Sequence, residues 1–252
     1  MKLEQILYTN DIREIPAHMK QNILVITTDN AFAEKLTKQG IAVALDETGE
    51  EAERTGKGNK EGTDTVFSEK KFSCAYVVTH PEELTFLDFD RIYRRQKQLP
   101  WTILSTDRCI LREFCMEDLE DLLDLYRQPG ITDYLEPLGS PEEEARYQRE
   151  YIRHMYGFFE YGLWIVTDRA TGKMIGRAGI ETNDRCGAGE VELGYVIHPC
   201  WQNRGIATEV CSAILGYARE ELGISHVFVR VHRENKASVS LAEKLGVEIR
   251  FL

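Results

Sequence analysis

The residues from Glu190 to Leu222 constrain the fold more than any other part of this chain. Val191, Leu193, Tyr195 and Ile197 alternate with Glu192, Gly194 and Val196, which is a strand pattern. His198-Pro199-Cys200-Trp201 breaks that strand, and Gln202-Asn203-Arg204-Gly205-Ile206-Ala207 follows. Ala207, Val210, Cys211, Ile214, Ala218 and Leu222 then recur at steps of three and four, one face of a helix. Strand, small-residue loop and helix together leave several backbone N–H groups unpaired at one spot, with the positive end of the helix dipole behind them. Such a spot suits a phosphate or pyrophosphate. Gly205 lets the backbone approach a ligand closely, and Ala207 is too small to block it. Walker and Rossmann glycine patterns are both absent.

The loop Gln202-Asn203-Arg204-Gly205-Ile206-Ala207 resembles the pyrophosphate loop of the GNAT acetyltransferases, Gln/Arg-x-x-Gly-x-Gly/Ala. Its surroundings, from Val191-Glu192-Leu193-Gly194-Tyr195 to Ala207-Thr208-Glu209, are similar to the RimJ/RimL-type branch, whose members acetylate protein N-termini and small amines. The resemblance extends over about residues 101–250. It implies an α/β chain whose residues 99–252 form a GNAT fold, a mixed, mostly antiparallel splayed sheet with flanking helices. It also implies N-acetyl transfer from acetyl-CoA, as co-substrate and without a metal, to a primary amine by direct attack in a ternary complex. The amine is a protein N-terminus or a small molecule. In this resemblance Gln202 through Ala207 hold the pyrophosphate, backbone at Tyr195, Val196 and Ile197 faces the thioester, and Asn235 and Ser238 contact the cofactor.

An amine protonated at neutral pH needs a base. Glu192 is the first candidate, on the strand face of Gly194; a salt-bridged or solvated Glu is the plain alternative. Glu181, at the end of the preceding strand, is the second candidate, and His198, toward the phosphate end, ranks below both. The family's frequent Tyr seven residues after the Asn is Ala242 here. Ser238, three residues after Asn235, occupies the RimJ/RimL-type position from which a hydroxyl can serve the leaving thiolate, although a first-turn Ser also caps backbone. The rival reading is a non-catalytic acyl-CoA-binding or sensing module.

The whole chain narrows the classes further. A net charge of −11 over 252 residues argues against a nucleic-acid partner and is compatible with a cationic acceptor. With 42% apolar and 29% charged residues, no membrane-length apolar run and no signal-peptide core, a cytoplasmic globular protein without a membrane partner is expected. The cysteines at 74, 109, 115, 186, 200 and 211 lack metal-type pairing, so reduced thiols are expected. A homodimer is left open.

Residues 1–98 predict a small α/β Rossmann-like module. Residues 1–21 fit a docking helix or an arm; Ile23-Leu24-Val25-Ile26 and Ile41-Ala42-Val43-Ala44-Leu45 are buried strands around a helix capped at Asp29-Asn30. A polar insert at about 46–73 follows, its carboxylates interspersed with Lys and Arg rather than at metal-ligand spacing. Cys74 to Val78 resumes a strand, and Pro81-Glu82-Glu83 starts a helix expected to run through Arg95. Around Ile26-Thr27-Thr28-Asp29 and Gly40-Ile41-Ala42-Val43 the order is similar to the later half of a haloacid-dehalogenase-type (HAD) fold, without its Asp-x-Asp nucleophile pair. A scaffold or recognition role follows, rather than hydrolysis. In the second part, helices are expected over 117–126 and from Ser140 to about Tyr156, bordering the acceptor cleft in the resembling fold. A hairpin turn is expected at Ala170-Thr171-Gly172. The resembled fold usually continues into one more strand after the last residues here, so either the sequence stops short of that strand or the sheet ends with an unpaired edge.

Overall fold

The structure is a computed structural model that describes residues 2–48 and 76–252. Most of the polar insert therefore lies outside the described residues. The chain divides into two compact units, Met1–Leu99 and Pro100–Leu252.

The first unit is a four-stranded sheet in the order β1 (Gln5–Tyr8), β2 (Ile23–Thr27), β3 (Ala42–Asp46) and β4 (Val77–Val78), with every pairing parallel. Parallel strands buried on both faces read as continuous apolar runs, which is why β2 and β3 were legible. Helix α1 (Asn30–Lys38) packs Phe32, Ala33 and Leu36 with Val25 and Val43, whereas α2 (Phe86–Gln96) packs Phe89 and Tyr93 with Leu24, Ile26 and Ala44.

Two expectations fail here. The N-terminal residues form no α-helix: Gln5–Tyr8 is an edge strand that sends Leu7 to the α1 side and Ile6 to the α2 side, and short 3₁₀ turns follow at Ile12–Glu14 and Ala17–Met19. The helix expected from Pro81 to Arg95 is broken. Pro81–Glu83 is a single 3₁₀ turn, Leu84 is extended, and Thr85 opens α2 through a capping box with Asp88.

The second unit is one seven-stranded sheet in the order β11-β10-β9-β8-β7-β6-β5. Its strands are β5 (Thr102–Ser105), β6 (Cys109–Arg112), β7 (Leu163–Asp168), β8 (Met174–Glu181), β9 (Glu190–Ile197), β10 (His226–Val231) and β11 (Glu248–Phe251). Pairing is antiparallel from β5 to β9 and parallel from β9 to β11, which leaves β11 as an edge. Helix α5 (Ile206–Glu220) lies against β8 and β9, burying Ile206, Val210, Cys211, Ile214 and Ala218. Helices α3 (Leu119–Tyr126), α4 (Pro141–Tyr151) and α6 (Lys236–Leu245) complete the layers. The helix expected to reach Tyr156 changes at Ile152 into a π-helical stretch, Ile152–Phe159. Its wider turn brings Tyr151 and Tyr156, five residues apart, edge to face at 5.7 Å.

Two glycines permit close approach at the start of β7. A Cβ at Gly179 would lie 2.0 Å from the Gly162 carbonyl oxygen, and one at Gly162 would lie 2.8 Å from the Tyr156 ring. Gly179→Ala is therefore expected to destabilise the protein by at least about 1–3 kcal/mol, the usual cost of overpacking. Gly216→Ala, in mid-helix with open space around the new methyl, is expected to stabilise it by up to roughly 1 kcal/mol. Urea unfolding of both variants checks the opposite signs.

Candidate active site

β9 is paired to β8 over six residue pairs, from Glu192 to Ile197, but to β10 over only three, ending at Glu192↔Phe228. Beyond that point the two parallel strands separate. The His198 N–H donates to the Ile175 carbonyl of the β8 strand line at 2.8 Å. Backbone groups of successive strand residues point to opposite sides, so the N–H and C=O of Tyr195 and Ile197 face the gap. Val196 was expected among them. Its backbone belongs instead to the β8 side, where its carbonyl oxygen lies 2.4 Å from a Cβ built on Gly176.

The loop after β9 is tightly held. Gln202 donates from its side chain to the Ile197 carbonyl at 2.8 Å, tying the loop to the strand end. Asn203 and Gly205 both have positive φ, +58° and +77°. Gly205 is the N-cap of α5 and supplies no side-chain acceptor, so the first-turn N–H groups, among them those of Ile206 and Ala207, remain open for an anion. Arg108 braces this arrangement. Its guanidinium donates to the Arg204 carbonyl at 2.8 Å and pairs with Glu209 at 2.6 Å, and Glu209 also accepts from Thr106 and from the Arg108 N–H. Beside the loop lies a cleft of about 400 Å³ walled by Arg108, Arg169, Arg204 and Trp201. Arg108 and Arg169 come from the β5–β6 and β7–β8 turns, and Trp201 and Arg204 from the loop after β9.

The candidate proton-handling residues lie apart from the loop. Glu181 and Glu192 are directly opposite one another on β8 and β9, and share a sheet face with Arg177, Gly179, Gly194 and Val196. The Glu192 carboxylate is engaged: Asn183 donates to it at 2.9 Å and Arg230 pairs with it at 3.3 Å, just where β10 departs. Glu181 is half-buried and accepts from the Tyr151 hydroxyl at 3.1 Å. Burial pushes its carboxyl above the ordinary range, against the opposing pull of Arg177 and of that hydrogen bond. His198 is committed to structure, its Nδ1 accepting from the Cys200 N–H at 3.2 Å.

Asn235 caps α6 by accepting from the Ser238 N–H at 3.1 Å. Ser238 is half-buried and close enough to Tyr195 to lower its phenol slightly, although burial dominates and pushes that phenol up to about 12. The Tyr195 hydroxyl is buried without a partner in ordinary hydrogen-bond geometry. No group of three or more His, Cys, Asp or Glu among the described residues is arranged to hold a metal ion. No helix among them is long and apolar enough to cross a membrane.

Sequence reasoning missed Arg177, Tyr151 and Tyr156. Arg177 is 4% exposed within an otherwise buried strand, with its guanidinium 5.2 Å from the Tyr151 ring centre. A lone Arg amid Met174 to Ile180 was the available signal.

Residues 108–248, more than half of the chain, match the family model described as acetyltransferase (GNAT) domain. The protein belongs to the GNAT acetyltransferase family. It is 31% identical over 153 residues to the uncharacterized protein YkkB of Bacillus subtilis strain 168, covering 58% of this chain and 85% of that one. It is 30% identical over 148 residues to the uncharacterized N-acetyltransferase YoaA of the same strain, covering 58% and 82%. The ribosomal L7/L12 α-N-protein acetyltransferase RimL, solved in complex with coenzyme A, superposes with a TM-score of 0.51 over 57% of this chain and 82% of its own, at 15% identity. That likeness is one of fold.

Glu209 is held below the ordinary glutamate range by Thr106, the Arg108 N–H and the Arg108 guanidinium, which outweigh burial. A carboxyl depressed on folding stabilises the protein above its unfolded pKa, and the contribution disappears as pH falls through the folded value. Glu209→Gln is expected to cost roughly 1–3 kcal/mol near neutral pH and to flatten the loss of stability below the ordinary carboxylate range. Urea titrations at a series of pH values measure both.

Proposed function

We propose that this GNAT-family protein is an N-acetyltransferase of the RimJ/RimL type that moves the acetyl group of acetyl-CoA to a primary amine, a protein N-terminus or a small molecule, by direct attack in a ternary complex. The observation that carries this reading is the three-pair contact between β9 and β10 beside the loop ending in Gly205. Bound acetyl-CoA supplies an acyl thioester. The open amides of Ile206 and Ala207, with the loop from Gln202, receive its pyrophosphate. Tyr195 and Ile197 offer strand-like hydrogen bonds in the gap, one N–H of which is available to a carbonyl oxygen that gains negative charge.

Glu181 is the better base on this geometry. It keeps a carboxyl oxygen that Tyr151 does not use, and its raised pKa brings it closer to the working pH. Glu192, opposite it, forms the strut with Arg230 at the head of the gap and influences Glu181 by charge. Ser238, three residues after Asn235, serves the leaving thiolate, in keeping with the RimJ/RimL-type pattern. We further propose residues 1–98 and 99–252 as two domains, the first a Rossmann-like, partly HAD-like scaffold or recognition module. Four parallel strands covered by helices support that reading.

Thiol release from acetyl-CoA against a panel of amines and peptides tests the activity; cofactor binding with no turnover on any acceptor would favour a sensing module instead. Gly205→Asp adds bulk and negative charge where the pyrophosphate sits, and is expected to weaken acetyl-CoA binding in calorimetry far more than Asn203→Ala does. Glu181→Gln is expected to lower turnover by about a hundredfold or more with cofactor affinity nearly unchanged, and to be partly rescued at high pH. Glu192→Gln is expected to act chiefly on stability. The opposite ranking in steady-state rates would return the base to Glu192.

A further inference from the structure

The Tyr151 phenol has one proton and two neighbours. The Leu163 N–H donates to its oxygen at 2.7 Å, and Glu181 Oε2 lies 3.1 Å away. Because Leu163 supplies a donor, the phenol proton can be given only to Glu181. Tyr156 forms the other half of the arrangement. Its hydroxyl donates to the Leu163 carbonyl at 2.5 Å and accepts from the Phe114 N–H at 3.3 Å. Both polar groups of one β7 residue are therefore gripped by two tyrosines from the end of α4 and its π-helical extension, over glycines that leave no room for a side chain.

The geometry points to Tyr151 as the positioning residue of the acetyl-transfer base, an inference that rests on Glu181 being that base. The phenol occupies Oε2, so Oε1 is the oxygen left to take a proton from the acceptor. In that step the carboxylate gains one proton from the acceptor ammonium, and the nitrogen keeps the electron pair with which it attacks. Tyr151 keeps its own proton throughout. Arg177 stands behind it, its guanidinium over the phenol ring and its Nη2 3.4 Å from Gln148 Oε1.

The other groups acting on Glu181 are Glu192 across the strand pair and Arg185 from the β8–β9 connection. Tyr147 of α4 and Tyr126 at the end of α3 also feel its charge. Of these, Tyr151 alone hydrogen-bonds the carboxylate by side chain, and such a bond to the charged form favours it.

The test compares Tyr151→Phe with Tyr156→Phe in the full-length protein, with one acceptor amine whose turnover has been established. Each variant removes one phenol hydrogen bond to Leu163, so each loses stability. If Tyr151 positions the base, only Tyr151→Phe moves the acid limb of the kcat/KM–pH profile, to higher pH by about one unit, while the KM for acetyl-CoA stays unchanged. An acid limb that stays put in Tyr151→Phe, or shifts equally in both variants, overturns the inference. Glu181→Gln separates the two levels: loss of the acid limb there with no shift in Tyr151→Phe refutes the positioning role alone. Full turnover by Glu181→Gln refutes the base assignment and the inference with it.

Discussion

β9 pairs with β8 over six residues and with β10 over three. A strand deep in a sheet normally satisfies its backbone on both sides, and unpaired buried amides cost free energy. Here the parallel neighbour departs after Phe228, so the backbone groups of Tyr195 and Ile197 on that side have no strand pairing. The ion pair of Glu192 with Arg230 stands at the departure point and ties the strands where their hydrogen bonding stops. Helix α5 begins beyond Ile197, so its open first-turn amides lie at the end of β9 where the strand edge is open.

The middle of β8 holds a buried cation. Arg177 has no carboxylate within ion-pair distance among the described residues. Burying a charge in this way is expensive unless polar and polarisable groups surround it. The Tyr151 ring, Gln148 and the nearby phenols of Tyr126 and Tyr156 supply that environment. The same tyrosines hold the first residue of β7, so stability and the setting of Glu181 depend on one cluster. Small residues at 162 and 179 are the condition for it, since any Cβ there would push the tyrosines or β7 outward.

The legible parts of the fold were those with one unambiguous period or unbroken apolar runs. Glu190 to Ile197, Ala207 to Ala218 and the two buried strands of the first unit fall in this group. Elements decided by a local competition were not. Residues 1–21 carry too few apolar positions to separate a period of two from 3.6, and only pairing with β2 settles them as a strand. Thr85 with Asp88 outcompetes the helix start at Pro81 because that capping box meets the face carrying Phe89 and Tyr93. The change to a π-helical turn at Ile152 follows from where Leu163 sits, eleven residues later.

For the candidate site, the sequence by itself determined the strand–loop–helix arrangement around Gln202 to Ala207 and the cap at Asn235, and it nominated Ser238 and the two glutamates as candidates. Loop motifs are legible because backbone geometry and residue size are local properties. The tertiary structure alone decided which groups face the gap, removing the Val196 backbone and keeping those of Tyr195 and Ile197, because strand alternation has a direction only once a neighbour is known. It also gave the two carboxylates different partners. Glu192 and Glu181 look alike as letters, but one meets Arg230 on β10 and the other meets Tyr151 on α4, and those partners come together only by long-range packing.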